Sequence, residues 1–348
     1  MYTREILPPT ASPIIDGKPV TGTWNKAFDK VDLLEIKKPF RNVFSKSFIN
    51  YRIKEWQSFS MNNESFLLET LFFNVKHHRA VQVMYFDKEN KKKHIFRRVA
   101  PSTGWRFPNN LSDSFIESHL SNLFIRVHNR LDSDIVTLGV NIEATRKQPS
   151  LTFHLTYNLN NADVTPIVVS LGFSDQRIMY AYKALAPVWG DFILDGNHIK
   201  LKQENCSGIF CDYKGLFPYQ MHGTMGSAMG FDDGRRFGFH IAENQAKEIN
   251  KNNENALWIN GKLTPLPPVL VTMPYGVEST WVIQDVEGMV DLTFTPLEQN
   301  RYVNNLFFSK IDYHFPIGVY NGVLTSSSEE KIIIKNLIGV GKKLFLRV

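Results

Sequence analysis

Apolar and polar residues alternate with a period of two over much of this chain. Val136, Leu138, Val140 and Ile142 alternate with Thr137, Gly139, Asn141 and Glu143, and Leu151, Phe153, Leu155 and Tyr157 alternate with Thr152, His154, Thr156 and Asn158. Phe237, Phe239 and Ile241 form a third row and Val290, Leu292 and Phe294 a fourth. Each row puts one face into a core and leaves the other polar or small, as antiparallel strands do. Asp195-Gly196, Asp233-Gly234, Asn260-Gly261, Glu287-Gly288 and Asn321-Gly322 punctuate these runs as turn signals. Helical stripes are scarce, and the best of them, Ser114 to Leu123, is short. The strand–helix–strand rhythm of a parallel sheet is missing. The pattern predicts an all-β chain of many closely spaced antiparallel strands, as barrels or sandwiches.

A first β unit is expected over residues 1–195, with residues 1–47 wrapped around it, and a second over 196–348. The sequence has 348 residues, 43% of them hydrophobic, which is enough for two cores. Its 26 phenylalanines favour strands. The net charge of +6 comes partly from Lys91-Lys92-Lys93-His94 and Arg97-Arg98. Acids at Asp87 and Glu89 immediately precede that run, which reads as a solvated hairpin and not as a nucleic-acid patch. Cys206 and Cys211 alone make neither a disulfide framework nor a metal site. The adjacent His77-His78 would point to opposite faces of a strand. Neither a signal-peptide core nor a run of the ~20 apolar residues a membrane helix needs is present. The expectation is a cytoplasmic protein with no cofactor, no metal, no nucleic-acid partner and no integral membrane segment.

Candidate chemistry gathers in three places. The first is Glu55-Trp56, where the indole either plugs a barrel end or faces a ligand beside a carboxylate. The second is the glycine-, methionine- and aromatic-rich stretch from Asp212 to Gly230, which carries Asp212, Tyr213, Tyr219 and His222. It reads either as a tight corner or as the mouth of a site, where glycines let backbone approach a ligand. No Gly-Lys-Ser/Thr ending or nucleophile elbow accompanies it. The third is the end of the Phe237 strand, where His240, Glu243 and Asn244 lie near Trp258. His240 points opposite to Phe237 and Phe239, toward solvent or toward a lumen.

Several motifs resemble a bacterial family catalogued as domain of unknown function 2804. They are Arg4-Glu5-Ile6 with Ile15-Asp16-Gly17-Lys18, Arg52 through Phe59, Gly226-Ser227-Ala228 with Gly230, Glu254-Asn255-Ala256-Leu257 with Gly261-Lys262, and Gly288 through Pro296. They run in order over essentially the whole chain. The resemblance implies two calyx-like, distantly lipocalin-like barrels, in a wider group that includes carotenoid hydratases and tocopherol cyclases. It also implies tryptophans where this chain has Gly223 and Met225, Asp where it has Gln57, and Arg where it has Lys214. A glycine-rich run is implied where this chain has the polar segment 242–250.

These observations leave two main functions open. One is binding of a small apolar, lipid- or isoprenoid-like molecule in or between the barrels, with Trp56, Tyr213, Tyr219, Asn244 and Trp258 as ligand-facing residues. The other is a cofactor-independent hydratase, cyclase or isomerase, with Glu55, Asp212, His222 and Glu243 as acids and bases. The second reading expects at least one of those four in an apolar cavity with a shifted pKa. A non-catalytic interaction protein is a third possibility.

Overall fold

The computed structural model describes residues 2–37, 45–76, 78–100, 105–160, 162–306 and 309–347; His77 lies outside them. Among these residues the chain forms two large antiparallel sheets of 13 and 11 strands, each curled into a barrel-like half. The first runs from Lys92–Ala100 through Arg79–Asp87, Phe66–Asn74, Lys54–Asn62, Ser207–Gly215 and Arg177–Leu194 to Leu151–Asn158, and then out to Ser114–Leu120. The second is centred on Gln220–Asp232 and Lys331–Arg347, flanked by Arg235–Asn244 on one side and Ile317–Thr325 on the other. The all-β expectation therefore holds, and the alternating rows at 136–142, 151–157, 237–241 and 290–294 all lie in strands.

Hydrophobic burial forms four clusters, the smallest of them around Phe86, Phe315 and Ile317. Phe59, Phe72, Leu138, Leu155 and Tyr180 fill the first barrel. Phe239, Trp281, Leu292 and Tyr320 fill the second. Trp56, Ile209, Tyr213, Met221, Met229 and Trp258 form a third cluster where the sheets meet. The 18-residue strand Arg177–Leu194 serves the first sheet twice, pairing Ile167–Ser174 with its first half and Leu151–Asn158 with its second. Gly190 lets its second half lie close against Leu151–Asn158: its φ is 147°, and a Cβ there would lie 1.9 Å from the His154 carbonyl oxygen.

Several local expectations change. Ser114 to Leu123 is not helical. It is the hairpin between Ser114–Leu120 and Leu123–Arg130, turned at Ser121 with φ 54°. The α-helix of the described residues is Lys46–Arg52, capped by the Ser45 hydroxyl on the Phe48 N–H. Asn321-Gly322 is no turn but a register shift inside Ile317–Thr325. The basic run does form a hairpin, between Arg79–Asp87 and Lys92–Ala100. Asp195-Gly196 closes a hairpin within the first sheet, and Ser207–Gly215 pairs on both sides in that sheet, so the chain changes sheets between Gly215 and Gln220. The N-terminal segment reaches both halves. Trp24 packs in the first core, while Arg4 donates to the Asn253 carbonyl oxygen at 2.8 Å and to the Leu266 carbonyl oxygen at 2.5 Å.

Candidate functional site

All nine residues of Lys54–Asn62 are buried, because the strand is covered on both faces. Strand alternation sorts them. Phe59 and Met61 enter the first barrel, and Trp56, Ser58 and Ser60 face the second sheet. Its neighbour Ser207–Gly215 sends Ile209, Cys211 and Tyr213 to the seam, and Phe210 into the first barrel. Across the seam, Gln220–Asp232 presents Met221, Gly223, Met225, Ser227 and Met229. The Asn62 amide donates to the Met229 carbonyl oxygen at 2.5 Å and pins the two sheets together.

Between these faces lies a cavity of about 90 Å³. Its walls are mainly apolar, with Trp56, Leu71, Phe73, Ile311, Leu344 and Leu346 among them. Trp56 stacks on Tyr213 at 4.7 Å and on Phe217 at 5.7 Å, which fixes the indole plane. A few polar side chains interrupt the wall: Gln82, Arg97, His240 and Lys342 are the largest.

Two buried ion pairs support that wall. Glu254 is fully buried and accepts from the Lys183 ammonium, from the Tyr213 hydroxyl at 2.8 Å and from the Asn244 amide at 2.9 Å. Burial alone would raise its pKa, but the charge of Lys183 and its hydrogen bonds hold it well below the usual carboxylate range. Lys342 pairs with Glu69 at 3.1 Å, and the Ser60 hydroxyl donates to the same carboxylate. Burial opposes the Lys342 charge, yet Glu69 outweighs it and raises the lysine above its ordinary value. Both pairs satisfy charges that would otherwise be prohibitive in an apolar seam.

His240 has the opposite balance. Burial, reinforced by Lys183, lowers its pKa to about 4, so the imidazole is neutral near pH 7. Its Nε2 is buried without a hydrogen-bond partner among the described residues and lies 3.7 Å from Glu254 Oε2. Arg97 stands elsewhere on the wall. Its Nε and Nη2 both donate to Gln82 Oε1, at 3.0 and 2.6 Å, and its guanidinium covers the Tyr302 ring at 4.6 Å. Among the described residues no carboxylate lies within ion-pair distance of it.

The profile described as "Domain of unknown function (DUF2804)" matches residues 13–345. The chain belongs to the DUF2804 family. No curated protein matches it. Among solved structures, it is similar to kievitone hydratase from Nectria haematococca at 12% identity and a TM-score of 0.49, over 84% of this chain and 88% of that one. A looser likeness is to OccK5 from Pseudomonas aeruginosa, at 11% identity and a TM-score of 0.12, over 84% and 97%. Neither superposition is close enough to transfer a residue role.

In this DUF2804 protein the residues expected at a site are dispersed. Trp56 and Tyr213 line the seam cavity. Asn244 joins the network behind it through Glu254. Trp258 is buried in the seam, its indole N–H donating to the Thr165 carbonyl oxygen at 2.9 Å, and does not line the cavity. Tyr219 is exposed, with its ring beside Arg52. His222 is exposed, with its ring tilted against Phe345 at 4.9 Å, because its even position turns it away from the face that Gly223 and Met225 share. Glu243 is half-buried and accepts from the Val271 N–H at 3.2 Å. Glu55 and Asp212 lie on the other face of their strands. Asp212 accepts from the Gln57 amide at 2.9 Å, and burial raises its pKa to about 6. None of the four expected acid–base residues lines the apolar cavity.

Arg97, His240 and Lys342 line the cavity instead, with Glu69, Lys183 and Glu254 behind the wall. For Lys183 and Glu69 the signal was a lone ionisable residue in an otherwise apolar strand, Ala181-Tyr182-Lys183-Ala184-Leu185 and Leu67-Leu68-Glu69-Thr70-Leu71, whereas Arg97 and Lys342 each adjoin a second cation and carried no such signal. Gly223 and Met225, where the resemblance implies tryptophans, both line the cavity.

Proposed function

We propose that this DUF2804 protein binds a small, mainly apolar molecule in the seam between its two sheets, with a hydrogen-bond-accepting or acidic group directed to Arg97. The observation that carries this reading is the apolar cavity built jointly by both sheets in an otherwise close-packed interface. Left empty, a cavity of about 90 Å³ costs roughly 2 kcal/mol at ~24 cal/mol per Å³. A ligand that fills it restores the missing dispersion contacts. The volume lies below the ~300 Å³ at which drug-sized pockets begin. The ligand is therefore small, or it displaces flexible wall residues such as Met225. Incubation with a total lipid extract followed by native mass spectrometry tests this. The expected result is one retained adduct per chain, lost on Gly223→Leu; persistently bare protein would refute it.

A second reading is supported by the His240–Glu254 arrangement. A neutral imidazole on the cavity wall stands 3.7 Å from an ionised carboxylate that Tyr213 and Lys183 hold in place, so a small approach of the ring on substrate binding would let Glu254 orient it as a general base. Such a pair serves cofactor-independent hydration or isomerisation of an apolar substrate. Recovered ligand that has gained the mass of one water, and does so only with His240 intact, would favour catalysis over storage. A ligand unchanged in both mass and chromatographic retention would leave binding alone.

A further inference from the structure

The opposite face of the Trp56 strand opens into a second cavity of about 400 Å³ at one end of the first barrel, and it shares no wall residue with the seam. Its size falls among small-ligand sites, which begin at ~300 Å³. Strand register brings Glu55, Lys214 and Asn74 to this wall from three adjacent strands. Asp32, Lys76, Arg79, Arg106 and Asn109 add to its polar part, and Ile53 and Phe107 form an apolar patch. Most of the positive charge is already engaged. Lys76 pairs with Glu55 Oε2 at 2.5 Å, and Arg79 donates to Asn74 Oδ1 at 3.3 Å. Lys214 donates to Asn109 Oδ1 at 2.9 Å, to the Val31 carbonyl oxygen at 3.3 Å and to the Pro108 carbonyl oxygen. Arg106 is exposed to water.

What stays open is hydrogen-bonding capacity. Glu55 is buried, and its Oε2 takes both Lys76 and the Asn74 amide, the latter at 3.3 Å. Its Oε1 accepts no hydrogen bond among the described residues and lies 3.9 Å from Lys214. Lys214 can only donate, so it holds the Asn109 side chain by its oxygen and leaves the amide nitrogen unused among the described residues. An unused acceptor and an unused donor thus flank one ammonium on the cavity wall. An ion fits this wall poorly. An anion meets Glu55 and Asp32, and a cation meets Lys76, Arg79 and Lys214. A hydroxyl avoids both penalties, because it donates to one neighbour and accepts from another. Two adjacent hydroxyls on one ring satisfy Glu55 Oε1 and the Asn109 amide together, and the C–H face of the ring covers Ile53 and Phe107.

We propose that this end of the first barrel is a second binding site, for a neutral polyhydroxylated ring such as a monosaccharide or cyclitol, with one hydroxyl donating to Glu55 and its neighbour accepting from Asn109. Saturation-transfer NMR on the full chain with methyl glucoside, methyl galactoside and myo-inositol, followed by calorimetric titration, tests it. At least one of the three should bind, with an affinity that added salt leaves unchanged because no charge is neutralised. Asn109→Asp keeps an oxygen on Lys214 but removes the amide donor, and should weaken binding roughly tenfold, as loss of one hydrogen bond does. Glu55→Gln should weaken it by a similar factor, and Lys262→Gln, an exposed cation of the second sheet, should change nothing. Absence of saturation transfer to all three probes would overturn the proposal, as would an Asn109→Asp variant that melts like the parent yet binds as tightly. Inorganic phosphate binding more tightly than every neutral probe would also overturn it, by showing that the wall selects charge.

Discussion

Gly223→Leu separates a ligand cavity from an accidental packing defect. Gly223 lies within Gln220–Asp232 on the face that meets the first sheet. A Cβ added there meets nothing closer than 3.9 Å, the nearest atoms being the Glu243 carbonyl oxygen and the methyl groups of Met221 and Met225. The leucine therefore grows into the cavity of about 90 Å³. Filling it recovers at most ~2 kcal/mol at ~24 cal/mol per Å³. Replacing glycine within a strand adds about 0.5–1 kcal/mol through the unfolded chain. Ligand-free protein should thus gain about 1–3 kcal/mol, seen as a higher urea midpoint with an unchanged m-value. The same variant should lose the ligand, so stability and binding move in opposite directions. A lower midpoint would show that the space is not available. Retained ligand with unaltered affinity would show that the molecule binds elsewhere.

Four other predictions concern the charged and titratable side chains. Lys183→Met strands Glu254 without its cation and should destabilise the fold by roughly 3–5 kcal/mol, whereas Lys183→Met with Glu254→Gln should recover most of that loss in urea unfolding. His240 titrates at about 4 in the fold against an ordinary 6.5, so the unfolded chain holds more protons between those values. Stability should be full above 6.5 and fall by on the order of 3 kcal/mol as pH drops toward 4, and His240→Gln should remove that slope in pH-dependent unfolding. Asp212 acts in the reverse sense: its pKa of about 6 against an ordinary 3.8 makes stability decline as pH rises through that window, and Asp212→Asn should abolish the decline. Arg97→Gln should weaken an acid-bearing seam ligand roughly tenfold while sparing its neutral analogue, compared by native mass spectrometry.

The sequence by itself determined the class of structure. Where a strand has one face in a core and one in solvent, as in Ile135–Ile142, period-two alternation is a direct image of burial, and the strand was legible. The Asp-Gly and Asn-Gly pairs at 195, 233 and 260 each sit at positive φ in hairpin turns, as their backbone preference requires. Local patterns misled where a hairpin mimicked helical spacing, at Ser114 to Leu123, and where Asn321-Gly322 made a bulge. Only the tertiary structure decided where the candidate site lies. Lys54–Asn62 is covered on both faces, so its sequence carries no single apolar stripe to read. The acids singled out at Glu55 and Asp212 share the face opposite the seam, while Glu254 and Glu69 support the cavity through lysines 71 and 273 residues away in the chain. Alternation assigns side chains to one of two faces, but it does not say which face another sheet will cover. That depends on how two curled sheets pack together, a long-range register that no local stretch of residues encodes.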